Sequence, residues 1–342
     1  MGSVQDRLIS RLRTEKQREV IDLESVRAGR EAAYEFEGEV SSIESLIKKG
    51  QDPLHAAYTY TQNFMSVLIE QSVELPELHD WADLYANLEE DYMPSGPPMS
   101  PLSRSYFWCW STFDLTFGSA RETMGQCIHT IAKEMGVTDD LLAGMKLMQE
   151  SRMGLYVHNG FEGPFIKLQE IVTGEVVVIH CGSGYRGSSG QIWYVRLLPP
   201  LIDGLGYHVA FTSPYVIRDV SEAGLKSCIL RMLPKMAKRG YSEGYEGLMK
   251  WGPSDKYWNE FIMMAYSNYA HDVIYLTGYP SAEPNALYQD INDLNSYQAG
   301  AAGNSDWITS SRHKSTTGKM VMPNDVKKKR KQAKDARKKN RK

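Results

Sequence analysis

Sixteen residues of this 342-residue chain, Lys327 to Lys342, hold eleven Lys or Arg side chains and one acid, Asp335. Cations at that density neutralise phosphates and release their condensed counterions, which gives sequence-independent, salt-sensitive affinity for RNA or DNA. The run carries +10, and because the whole chain is −3, residues 1–326 carry −13. An acidic body joined to a cationic tail points to an anionic partner. The candidate nucleic-acid-binding residues are Lys327, Lys328, Lys329, Arg330, Lys331, Lys334, Arg337, Lys338, Lys339, Arg341 and Lys342. Residues 327–331 also have the composition of a basic nuclear-localisation patch. No aromatic lies between 327 and 342, so the tail itself offers no surface for base stacking. The competing readings are a solvated solubility tail and a tail that folds back on the acidic body.

A second chemistry is suggested by Val176 to Gly187, VVVIHCGSGYRG. Cysteine-dependent phosphatases end an apolar strand in His-Cys, leave five residues, then place Arg at the start of a helix. The thiolate attacks while backbone N–H groups and the Arg fork hold the phosphate. Here four residues separate Cys181 from Arg186, the following QIWYVRLL is strand-like, and no Trp-Pro-Asp acid is present. A hydrolase with its site at His180, Cys181 and Arg186 is therefore the alternative, set against a glycine-rich hairpin loop with a half-buried thiol. Gly184-Tyr185-Arg186-Gly187 is a G-x-x-G, but the RNA-clamping form joins two helices, and both flanks here read as strands. Tyr185 and Arg186 stay as candidate ligand residues at a loop tip. Alternation along 192–198 puts Tyr194 and Arg196 on one side and Trp193, Val195 and Leu197 on the other. Arg196 joins the candidate ligand set if its side of the sheet is open; ordinary packing against helices is the rival.

The eight histidines form no metal-spaced motif, and no GxSxG elbow or Walker-type loop occurs. No metal, cofactor or catalytic residue is assigned. His158, Asn159 and Glu162 are expected on a loop. Four cysteines without a CxxC pair read as buried thiols.

These residues need elements to hold them. Apolar spacing predicts charged helices over 4–49, a helix from Pro53 to Ser72, another from Pro76 to Glu90, and helical segments from Ser100 through the aromatic run 106–117 to Met135. Thr138 is expected to cap a helix from Asp139 to Arg152. After a break at 153–163, strands are predicted at 165–172, 175–181, 191–198 and 207–212 as an antiparallel meander or barrel, with 215–217 following. Helices return after Ser221 and, after Ser254, from Asp255 to Leu276. Residues 280–326 read as a disordered linker.

The expected class is α+β: a helical N-terminal region (1–152), a small antiparallel β-meander or barrel with further helices (153–279), and a flexible linker with a basic tail (280–342). No segment reads as a membrane span or secretory signal, and the expected compartment is the cytoplasm, or the nucleus in a eukaryotic host. The leading expectation is a non-enzymatic protein that engages nucleic acid or a ribonucleoprotein. A third reading makes it a component of a multi-protein assembly, meeting its partner through the N-terminal helices.

Overall fold

Asp52 begins the clearest local structure: its carboxylate accepts from the His55 N–H at 3.0 Å and Pro53 takes the first helical position. This satisfies an otherwise unpaired donor and uses proline where its missing N–H costs nothing. The computed structural model describes residues 2–19, 42–93, 101–202, 204–237 and 244–280. Their ten α-helices are α1 (Val4–Glu19), α2 (Ile43–Lys48), α3 (Pro53–Ser72), α4 (His79–Tyr92), α5 (Pro101–Phe113), α6 (Met124–Met135), α7 (Asp139–Glu150), α8 (Glu222–Ala237), α9 (Gly244–Trp251) and α10 (Tyr257–Ala265). Of the expected linker and basic tail (280–342), residues 281–342 lie outside the described residues.

The strands are β1 (Thr116–Phe117), β2 (Glu122–Thr123), β3 (Met153–Glu162), β4 (Phe165–Glu170), β5 (Val176–Cys181), β6 (Ile192–Leu198), β7 (His208–Ala210), β8 (Tyr215–Arg218), β9 (Tyr266–Tyr269) and β10 (Ile274–Thr277). The main sheet runs β3-β4-β5-β7-β6-β8-β10-β9, and β3 also pairs with β6. That extra pairing closes β3, β4, β5, β7 and β6 into a five-stranded barrel. The fold is therefore α+β with a small barrel, as its alternating strands imply. Within the barrel two pairings depart from a plain meander, the parallel β5–β7 pair and the reach of β3 across to β6, and beyond it β8 and β10 are also parallel.

Other elements differ from the sequence pattern for local reasons. The expected break at 153–163 is strand β3, so His158, Asn159 and Glu162 sit on a strand. Its glycines disguise it; a bulge lies between His158 and Phe161, where Gly160 adopts φ +93°. The aromatic helix stops at Phe113, and the β1–β2 hairpin intervenes before α6. The helix expected to reach Leu276 ends at Ala265, and 266–277 forms the β9–β10 hairpin. Thr138 has extended backbone but makes no side-chain cap bond.

Three apolar clusters result. One fills the barrel with Tyr156, Ile166, Leu168, Ile179, Trp193 and Val195. A second packs α5 and α8–α10 on the outward sides of β3, β6, β8 and β10. The third gathers α1, α3, α4, α6 and α7 over Leu198 and Val209. Val4 and Leu8 of α1 are buried in that third cluster. Among the described residues no helix is long and apolar enough to cross a membrane.

Candidate functional site

Successive residues of a strand point to opposite faces, and β6 separates two environments that way. On its outward side Arg196 is fully buried. Its guanidinium donates to the Asp114 carboxylate, to Ser151 O at 2.8 Å and to Ser151 Oγ at 3.0 Å. Lys250 Nζ lies 3.3 Å from Asp114 Oδ1 and donates to Ser151 O at 2.8 Å. Burial pushes the Lys250 ammonium down to about 8, with Asp114 opposing the shift. The rings of Tyr106, Tyr194 and Tyr215 enclose this cluster, and burial drives their hydroxyls well above the usual range. The open sheet face that would make Arg196 and Tyr194 ligand residues is covered by helices. Arg196 does not meet Tyr185 and Arg186.

On the barrel side of β6 the same residue types are arranged differently. Trp193 is fully buried and forms the hub of a chain of rings. In one direction it meets His158 at 5.6 Å, His158 meets Phe161 at 5.1 Å, and Arg186 lies over Phe161 at 4.6 Å. In the other direction it meets Tyr185 at 5.3 Å. Tyr185 and Tyr275 both pack against the barrel cluster, and Arg218 lies over the Tyr275 ring at 3.5 Å. The middle is sealed, while Phe161 at one tip is 47% exposed and Arg218 at the other is open to solvent. The chain of rings thus runs from one guanidinium to the other across the end of the barrel.

The glycine-rich loop 182–191 lays Tyr185 and Arg186 into this arrangement. Gly187 has φ +64°, and a Cβ there would stand 2.6 Å from Trp193 Cζ2, so only glycine lets the backbone cross the indole. Ser183 Oγ donates to Asp272 O at 2.8 Å, and the Tyr185 hydroxyl donates to Gln191 Oε1 at 3.1 Å. His158 Nδ1 accepts from the Gly160 N–H, so its Nε2 carries the proton donated to Arg186 O, each at 3.0 Å. Nε2 thus ties His158 to the loop, while Nδ1 ties it to the bulge of its own strand.

The residues of the hydrolase alternative do not converge. Cys181 is buried in the barrel and burial pushes its thiol up. His180, on the opposite side of β5, faces His55 of α3 with ring centroids 6.0 Å apart. Arg186 donates to Pro164 O at 3.0 Å, on the turn between β3 and β4. No cradle joins thiol and guanidinium.

The opposite end of the barrel opens into a pocket of about 170 Å³ whose lining includes Glu150, Arg152, Tyr156, Glu170, Glu175 and His208. Its one arginine is committed: Arg152 donates to Glu170 Oε1 and to Glu246 Oε1, each at 2.8 Å, and lies over Tyr245 at 5.0 Å. Carboxylates outnumber cations there, so the pocket disfavours phosphate. Among the described residues no cluster of three or more His, Cys, Asp or Glu could hold a metal ion.

Phe161, Arg218 and Tyr275 are not legible in the sequence as site residues. Phe161 lies in the apparent break and Tyr275 in the apparent helix. The one available signal is the β-branched set Val273, Ile274 and Thr277, which favours a strand. The candidate cations of 327–342 lie outside the described residues. No protein-family model matches the chain, and no curated protein or solved structure matches it either.

Proposed function

We propose that this protein binds nucleic acid, free or within a ribonucleoprotein, in a non-catalytic role, with residues 327–342 supplying most of the affinity. The observation that carries the reading is the charge division: +10 on sixteen residues against −13 on the rest. The acidic body repels a polyanion, so attraction has to come from the tail, and its cations displace condensed counterions as they engage phosphates. The barrel adds support of a weaker kind. Five-stranded barrels with crossed strand order include the partly open OB-folds, whose faces and loops bind oligonucleotides and oligosaccharides, although a fold alone assigns no function. The four buried, unpaired cysteines agree with a reducing compartment, and we assign the cytoplasm, or the nucleus in a eukaryotic host.

The test is fluorescence anisotropy of the full chain and a chain ending at Val326, on labelled single-stranded and duplex oligonucleotides over a salt series. Truncation is expected to weaken both at least tenfold and to flatten the salt dependence by about 0.7–0.9 in log–log slope for each phosphate no longer neutralised. Unchanged affinity and slope would overturn the proposal.

A further inference from the structure

We infer that the ring chain across the end of the barrel is a second nucleic-acid contact, and that it selects single strands by stacking. This rests on the nucleic-acid reading above, but it concerns selection, where the tail concerns affinity.

The first support is the company kept by the arginines. Five arginines of the acidic body, Arg11, Arg13, Arg121, Arg152 and Arg196, each pair with a carboxylate. Arg186 and Arg218 pair with rings instead, and among the described residues neither forms an ion pair with a carboxylate. Their charge remains available to a ligand.

The second support is shape. A guanidinium lying over a ring keeps its far face outward; the face stacks on a base while the N–H groups not already used, all but the one Arg186 gives to Pro164 O, reach phosphate oxygens. Phe161 with Arg186 and Tyr275 with Arg218 form two such tips. Buried Trp193 and His158 connect them, so neither tip has to be ordered when a ligand arrives. The bases of a duplex are already paired and stacked, and cannot reach a flat tip; those of a single strand can. The tail has no ring to offer, so base contact has to come from the folded body. Asp272 lies near the middle of the ring chain, where its negative charge acts on Tyr185, so the two arginine-capped ends are the points of anion contact.

The experiment uses the full-length chain, a twelve-nucleotide oligothymidine and a twelve-base-pair duplex, both fluorescein-labelled. Phe161→Ala with Arg218→Gln alters one exposed residue at each tip and leaves the buried rings in place. It is expected to weaken oligothymidine binding about tenfold with less than a twofold change on the duplex. Arg186→Lys keeps the charge but removes the planar face, and should lower the single-strand preference without altering the salt slope. Equal weakening on both probes, or no weakening, would overturn the inference. Removing 327–342 should reduce both affinities in parallel and preserve their ratio; if truncation changes nothing while the tip variants abolish the preference, the tail reading fails and the stacking site stands.

Discussion

Arginine and tyrosine occur together in two places separated by the thickness of β6. Outward of the strand, Arg196 lies sealed among Tyr106, Tyr194 and Tyr215 with Asp114 against its guanidinium. Across the barrel end, Arg186 and Arg218 lie over Phe161 and Tyr275 with solvent on their free sides. Composition does not separate the two regions; a buried carboxylate and a helical cover do. Where both are present the arginine is part of the fold's interior, and taking away its partner strands a charge. Where both are missing the arginine adds little to the fold and keeps its bonding capacity for something else.

Four measurements break or sharpen that contrast. The largest effect is expected from Asp114→Ala, which leaves Arg196 and Lys250 buried without their counter-charge. Urea denaturation should show a loss of about 3–5 kcal/mol, and a loss below about 1 kcal/mol would mean the outer cluster is not held by this carboxylate. Next is the pH dependence set by Lys250. In the folded chain it releases its proton near 8, against 10.5 as the ordinary value. Between these values the unfolded state binds more protons, so native stability rises with pH across that window. Lys250→Met should remove a rise of about 1–3 kcal/mol between pH 8 and 10, and identical pH profiles for the two proteins would contradict the shift. A smaller effect is expected at the open tips. Arg218→Ala or Arg186→Ala should each cost about 0.5–1 kcal/mol, the worth of an exposed cation over a ring; a loss above about 2 kcal/mol would show that the tips are structural after all. The smallest stability effect belongs to removing 327–342, expected within about 0.5 kcal/mol by thermal or urea unfolding, although its effect on polyanion binding is expected to be the largest of all.

The legible parts of the fold are those with local causes. Helix α3 runs from Pro53 to Ser72 as its spacing predicts, because Asp52 caps it and proline suits the first turn. The β4–β5 hairpin pairs Ile166 with Ile179 around Thr173-Gly174, where Gly174 takes φ +77°. Strand β3 is hidden in the sequence because Gly154 and Gly160 imitate a loop, although Gly154 is there to let Tyr156 lie over its backbone, where a Cβ would meet the Tyr156 hydroxyl at 2.4 Å. The β9–β10 hairpin is hidden because its tyrosines continue the apolar rhythm of α10. Tyr185 and Arg186 are legible as loop-tip residues, and Arg196 only as one of a pair of faces.

Charge and periodicity are properties of the chain read in order, so the acidic body, the cationic run, the helices and the alternation along β6 follow from sequence alone. Alternation says which residues share a face but not which face is covered, because cover comes from residues distant along the chain: Asp114 and Lys250 for Arg196, Phe161 and Tyr275 for the two open arginines. Those meetings depend on barrel closure and on the packing of α5 and α8–α10, which no local pattern encodes. Tertiary structure therefore decided that one arginine would be enclosed and two would remain available.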